Sequence, residues 1–154
     1  MNFIPLLLFL HLVSVAIWVG GMFFAYVCLR PVAAAQLEPP QRLALWLGVF
    51  ERFFPWVWLA VTLILASGLT MITLVGWLGA PPRWHAMLAL GSVMMLLFAH
   101  LYFAMFPRLR RGVAASDWPK AGAALNQIRK VVGINLLLGL LTIAIATLGA
   151  YWGH

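Results

Sequence analysis

Four stretches of this sequence are each long and apolar enough to cross a bilayer, and they leave little else for the chain to fold into. They run over about residues 3–29, 53–77, 86–106 and 131–152. A spanning helix needs about 20 apolar residues, and each run meets that length. Strands of a membrane barrel would instead show about ten residues of in/out alternation, which none of the four displays. The residues between them are too few to form a water-soluble core. Only 8% of the chain is charged and 65% is hydrophobic, with mean hydropathy +1.02; soluble domains average about 25% charged. The expected fold class is an all-α integral membrane protein. It is a four-transmembrane-helix bundle with short cytoplasmic interfacial helices, forming a single membrane domain over residues 1–154. No Lys or Arg precedes the first run. It also exceeds the roughly 7–15 apolar residues of a secretory signal, so it is expected to be a retained helix.

Charge orients the bundle. Ten Lys and Arg stand against three acids, for a net charge of +7. The loop over 30–52 holds Arg30, Arg42 and Arg52, and the loop over 107–130 holds Arg108, Arg110, Arg111, Lys120, Arg129 and Lys130. Between the second and third spans there is only Arg83. The positive-inside rule places both basic loops in the cytoplasm and both termini in the periplasm of a bacterial inner membrane. The basic residues are interleaved with apolar runs, so the lipid bilayer rather than nucleic acid is their expected partner. Each loop opens a helix with an acid followed by proline, at Glu38-Pro39-Pro40 and at Ser116-Asp117-Trp118-Pro119. Leu43, Trp46, Leu47 and Phe50 then recur at helical spacing, as in a helix lying in the interface. The two halves thus repeat one plan. The lone Cys28 excludes an intramolecular disulfide and is expected to be a small buried filler. Glu38, Glu51 and Asp117 read as caps or salt-bridge members. No nucleotide loop, triad or carboxylate pair is present, which argues against hydrolytic chemistry.

Lipid gives apolar faces little reason to associate, so tight packing needs small or polar residues. Asn135, Gly139, Thr142, Ala146 and Gly149 recur at steps of four and three, which places them on one helix face. That stripe is the expected seam, with Asn135 bonded across to another helix. Thr62, Ser67, Gly68, Thr70 and Thr73 offer a less regular set, and Gly20-Gly21 permits close approach in the first span. Phe53, Phe54, Trp56 and Trp58, and Trp77, Trp84 and Trp152, read as aromatic belts.

The histidines ask for more than packing. His11 and His100 lie inside apolar runs, His85 opens the third, and His154 ends the chain. An ionisable group within a membrane is a functional candidate by default. His85 and His100 are 15 residues apart, about 22 Å along a helix and about 60° around it. His11 and His85 belong to the same outer leaflet and meet if the first and third helices face each other. Imidazole is an axial ligand for haem iron, and helix bundles build such sites from facing helices. Ser14 and Trp18 lie on the His11 face. Ala89, Ser92 and Ala99 lie near the His85 face. Met22, Met71, Met87, Met94, Met95 and Met105 supply thioethers, which suit copper(I).

The opening pattern LHLVSVAIWVGGMFFAYVCLRP resembles the membrane domain of the copper-resistance protein D (CopD) family. There a histidine is followed by a tryptophan, a glycine-containing pair and Arg-Pro. Those positions here are His11, Trp18, Gly20, Gly21, Arg30 and Pro31. The similarity extends to Arg52-Phe53-Phe54-Pro55, to Phe98-Ala99-His100-Leu101-Tyr102 and to Val132-Gly133-Ile134-Asn135-Leu136, as in a stand-alone short member. The chain is also similar to HemJ-type protoporphyrinogen oxidases, whose third helix opens with tryptophan, histidine and then a lysine. Trp84-His85-Ala86-Met87 departs from that pattern, with Met87 in the lysine position. The resemblance implies a haem-compatible scaffold with His11 as the carried-over ligand, and its copper label adds transport.

The expected function is therefore an inner-membrane haem b protein in electron transfer. His11 is one axial ligand, and His85 or Met87 the other. His100 serves a second haem, a dimer contact in a homodimer, or a proton path. The partners would be a quinone or a periplasmic redox protein. The alternatives are copper(I) transport or resistance, a HemJ-like oxidase, and a cofactor-free structural subunit.

Overall fold

The computed structural model describes residues 3–149. Four helices are long and apolar enough to span a membrane: α1 (Ile4–Gln36), α2 (Pro39–Val75), α3 (Pro82–Ala114) and α4 (Trp118–Leu148). The described residues contain no strand. The all-α, four-span expectation holds, but the helices are longer than the apolar runs. At about 1.5 Å per residue, the 37 residues of α2 reach about 55 Å, well beyond the roughly 30 Å of hydrocarbon. Consequently the segment after Pro40 is not a separate interfacial helix. It forms the first turns of α2, which continues without a break through Arg52 and Pro55. Likewise Lys120 to Lys130 belongs to α4 and not to a loop. The helix starts read at the acid-proline pairs are correct. Glu38 is the N-cap of α2, and Asp117 caps α4 by accepting from the Lys120 backbone N–H at 3.2 Å. The ammonium of Lys120 also pairs with Asp117 at 2.8 Å. The end of the fourth run at Trp152, and His154, lie outside the described residues.

The connections are short. Gly76 ends α2 at φ 89, a left-handed conformation suited to glycine. Between α3 and α4, Ser116 takes φ 53. There a Cβ on Gly112 would lie 2.9 Å from the Ala121 backbone, so the two helices touch main chain to main chain.

The two odd-numbered helices share one irregularity. Phe24–Leu29 in α1 and Leu101–Met105 in α3 are π-helical turns. In each the backbone N–H after the turn reaches back five residues, from Arg30 to Ala25 and from Phe106 to Leu101. A proline follows immediately, Pro31 or Pro107. Proline has no N–H and its ring collides with the carbonyl four residues back, so a wider turn before it relieves the clash. Cys28 sits on the first of these turns and is exposed, contrary to the expectation of a buried filler.

The seam stripe on α4 is where the sequence puts it. Asn135 is buried, and its Nδ2 donates to the Met94 carbonyl of α3 at 3.1 Å. A Cβ on Gly139 would lie 2.9 Å from Val19 of α1 and 3.2 Å from Met94. Interhelical hydrogen bonds of this kind contribute about 0.6 kcal/mol on average and up to roughly 1.7 kcal/mol. Asn135→Ala is expected to lower stability in detergent by about 1 kcal/mol. The same change at exposed Asn126 should do little; thermal unfolding of both variants checks this.

The two halves of the bundle pack differently. Toward the end bearing the basic residues, Phe50, Phe54 and Trp58 of α2 meet Phe98, Tyr102 and Phe106 of α3. Phe50 and Phe54 stack at 5.0 Å, and Phe54 meets Phe106 edge-to-face at 4.9 Å. The aromatic residues near Phe54 therefore form a plug in the core and not only a belt at the interface. Gly21 receives the Phe53 ring, whose edge a Cβ there would overlap, so that glycine leaves no open space. In the other half, between Trp18 and the far ends of the helices, the core is not filled.

Candidate functional site

That unfilled region is a cavity of ≈ 420 Å³ bounded by all four helices. Specific ligand pockets run from about 300 to 1,000 Å³, so the space is of ligand size. Its walls are largely aliphatic. The exceptions define its chemistry: His11 from α1, Met71 from α2, Met87, Met94 and Met95 from α3, and Arg83 and Trp84 where α3 begins. Ser92 and Thr142 also line it, but each hydroxyl donates to a carbonyl of its own helix.

His11 is fixed in one tautomer by its neighbour. Its Nδ1 lies 2.9 Å from the Ser67 hydroxyl of α2. Ser67 has one proton and gives it to the Leu63 carbonyl within its own helix. Its oxygen must therefore accept, and Nδ1 of His11 carries the donated proton. In the neutral ring Nε2 then keeps its lone pair, the form in which imidazole binds a metal. Gly68 admits this ring: a Cβ there would sit 3.4 Å from Cε1. Nothing in the sequence alone singled out Ser67 and Gly68 as partners of His11. They appeared there only as small residues for packing.

The other candidates disperse. Trp18 is buried, lines the cavity and meets Phe98 edge-to-face at 6.2 Å. Ser14 is buried but donates to the Leu10 carbonyl at 2.7 Å, and it does not border the cavity. Met87 borders it. His85 does not; it is exposed and packs near Trp77, with ring centroids 6.2 Å apart. His100 is exposed at the other end of α3. It borders a second, open cavity of ≈ 380 Å³ with Met105, Arg108, Gln127 and Lys130. The structure thus brings together His11, Met87 and Trp18, and leaves His85, His100 and Ser14 elsewhere. Among the described residues no group of three or more His, Cys, Asp or Glu is placed to hold a metal ion. Any metal in the main cavity would rest on one imidazole and thioethers.

A family model for copper resistance protein D matches residues 47–148. The chain belongs to the copper resistance protein D family. It is a copper-resistance-related membrane protein, and the matched stretch takes in most of α2 and all of α3, together with α4. His11, on α1, lies outside that stretch. No curated protein and no solved structure matches the chain.

Were a metal held at Nε2 of His11, loss of the Ser67 hydroxyl that sets the imidazole's proton would be felt there. Removing an outer partner of a ligating histidine typically costs about 10–100-fold in metal affinity. Ser67→Ala is expected to weaken copper(I) binding within that range and leave the helical circular dichroism unchanged. A competition titration with a chromophoric copper(I) chelator measures it.

Proposed function

We propose that this protein handles copper(I) within the membrane, binding it in the cavity through Nε2 of His11 and the thioethers of the surrounding methionines. The observation that carries this is the meeting, in one apolar cavity, of a tautomer-fixed imidazole with Met71, Met87, Met94 and Met95. Copper(I) is a soft ion that favours thioether and imidazole ligands. Every ligand in the set is neutral, so the bound ion keeps its single charge, the smallest a metal cargo can bring into hydrocarbon. A cation entering an apolar core loses its hydration, and ligation must replace it. The family's copper label agrees with this ligand set. With the basic end of the bundle cytoplasmic, as the positive-inside rule orients it, the cavity lies toward the periplasmic side.

The test is copper(I) titration of purified protein under reducing, anaerobic conditions. One bound ion with affinity lost on substitution of the four methionines by leucine supports the reading. Retention of full affinity in that variant removes it.

A second reading has its own observation. The cavity's volume suits an organic group better than a bare ion, and Arg83 beside its rim would pair with a carboxylate. Haem b fits these features, with His11 and Met87 as the protein's donors and Arg83 against a propionate; bound there it would supply one-electron chemistry. Binding of haem by the purified protein, with a Soret band lost in Arg83→Gln or His11→Ala, would favour it over copper.

A further inference from the structure

At the opposite end of the bundle, cationic and hydrogen-bond-donating groups gather with too few acceptors. Arg129 of α4 lies over Trp46 of α2, its Cζ 5.8 Å from the ring centroid. Nη1 of Arg129 donates to Asn126 at 3.4 Å, but its Nε and Nη2 are buried and have no hydrogen-bond partner. Nε1 of Trp46, a residue only 3% exposed, is also buried and unpartnered. Arg30 and Arg42 stand near enough for their charges to act on Arg129. Arg30 is itself laid over Tyr26 at 5.0 Å, and the Tyr26 ring packs where α4 offers Gly133. The chain's acids do not answer this charge. Glu51 pairs with Arg110 and Asp117 with Lys120, and no other ion pair occurs among the described residues.

Buried donors without acceptors are rare in folded proteins, because each leaves the cost of desolvation uncompensated. The charges of Arg30 and Arg42 add repulsion at Arg129. Both costs are removed by one kind of ligand: an anion with several acceptor oxygens and no donor. Arginine matches phosphate through its forked N–H groups, and basic pockets between membrane helices suit lipid head groups. We propose that Arg30, Arg42, Arg129 and the Trp46 indole N–H form a binding site for the phosphate of an anionic phospholipid or of a soluble phosphate, between α1, α2 and α4.

The test uses delipidated full-length protein in detergent, with native mass spectrometry for binding and thermal unfolding for stabilisation. The probes are phosphatidylglycerol, phosphatidylcholine and inorganic phosphate. Phosphatidylglycerol should bind and stabilise the wild type in preference to phosphatidylcholine. Arg129→Gln should weaken that binding by about tenfold or more, as loss of a charge-assisted hydrogen bond does. Trp46→Phe keeps the ring, removes the donor and should weaken binding several-fold; it decides the matter if Arg129→Gln does not fold. Arg108→Gln, an exposed cation outside the cluster, should change nothing. If inorganic phosphate alone gives the same variant-dependent stabilisation, the source is soluble phosphate and the site stands. Equal binding of the two lipids together with no stabilisation by inorganic phosphate, or equal effects of Arg129→Gln and Arg108→Gln, would overturn it.

Discussion

Protein carrying His11→Ala should fold as the wild type does and lose its copper(I). The fold should survive because the imidazole leaves no orphan behind. Ser67 still donates to Leu63, and its oxygen needs no second partner. Alanine is also the most favourable helix residue. The metal should be lost because no second imidazole borders the cavity among the described residues: His85 packs against Trp77 and His100 lies at the opposite end of α3. Thioethers are weak donors alone, so the loss should exceed the roughly 100-fold that removal of an outer partner can cost. Chelator competition gives the affinity, and circular dichroism with thermal unfolding gives the fold. His85→Ala and His100→Ala are the matching controls, and both should bind copper(I) as the wild type does. A loss of binding in either comparable to that in His11→Ala would mean that the cavity is not the site.

The second large effect concerns the plug. Phe54→Ala should destabilise the bundle by about 3 kcal/mol, the low end for truncating a buried aromatic ring. Phe54 is 3% exposed and touches four aromatic neighbours, at Phe50, Phe98, Tyr102 and Phe106. In lipid the transfer part of that cost shrinks, since the alternative surroundings are also apolar, but the lost contacts and the void remain. The lipid-facing Leu96, 71% exposed, provides the contrast. Leu96→Ala should change stability by less than about 0.5 kcal/mol. Unfolding of the two variants in the same detergent separates a core plug from an interfacial belt. If Phe54→Ala is as mild as Leu96→Ala, the aromatic residues serve only the interface.

Some of this was open to reading in the linear chain, for physical reasons that particular residues show. The apolar lengths announce four spans because hydrocarbon admits little else. The stripe from Asn135 through Ala146 announces its seam because close helix packing in lipid selects small residues at steps of three and four. The helix starts at Glu38 and Asp117 were equally plain. Where the helices continue was not: Arg42, Glu51 and Arg52 read as a polar break, although an amphipathic turn looks the same whether it lies in the interface or extends a span. The dispersal of the histidines was legible only in part. Depth follows from residue number, so His11 and His85 share a level. The rotation of α3 about its axis does not, and it depends on how Phe98, Tyr102 and Phe106 dock on α2. That docking turns Met87 and Met94 inward and leaves His85 outside. The tautomer lock by Ser67 is a contact 56 positions away in the chain, and no local pattern encodes it.

The proposed copper(I) site is most directly examined by X-ray absorption at the copper edge of anaerobically loaded wild-type protein. Copper(I) held by sulfur scatterers together with one imidazole is the expected spectrum, and His11→Ala taken through the same loading and desalting should retain no copper edge. Copper surrounded by oxygen and nitrogen alone, or a protein that retains no copper after desalting, would contradict a thioether-imidazole site in this cavity.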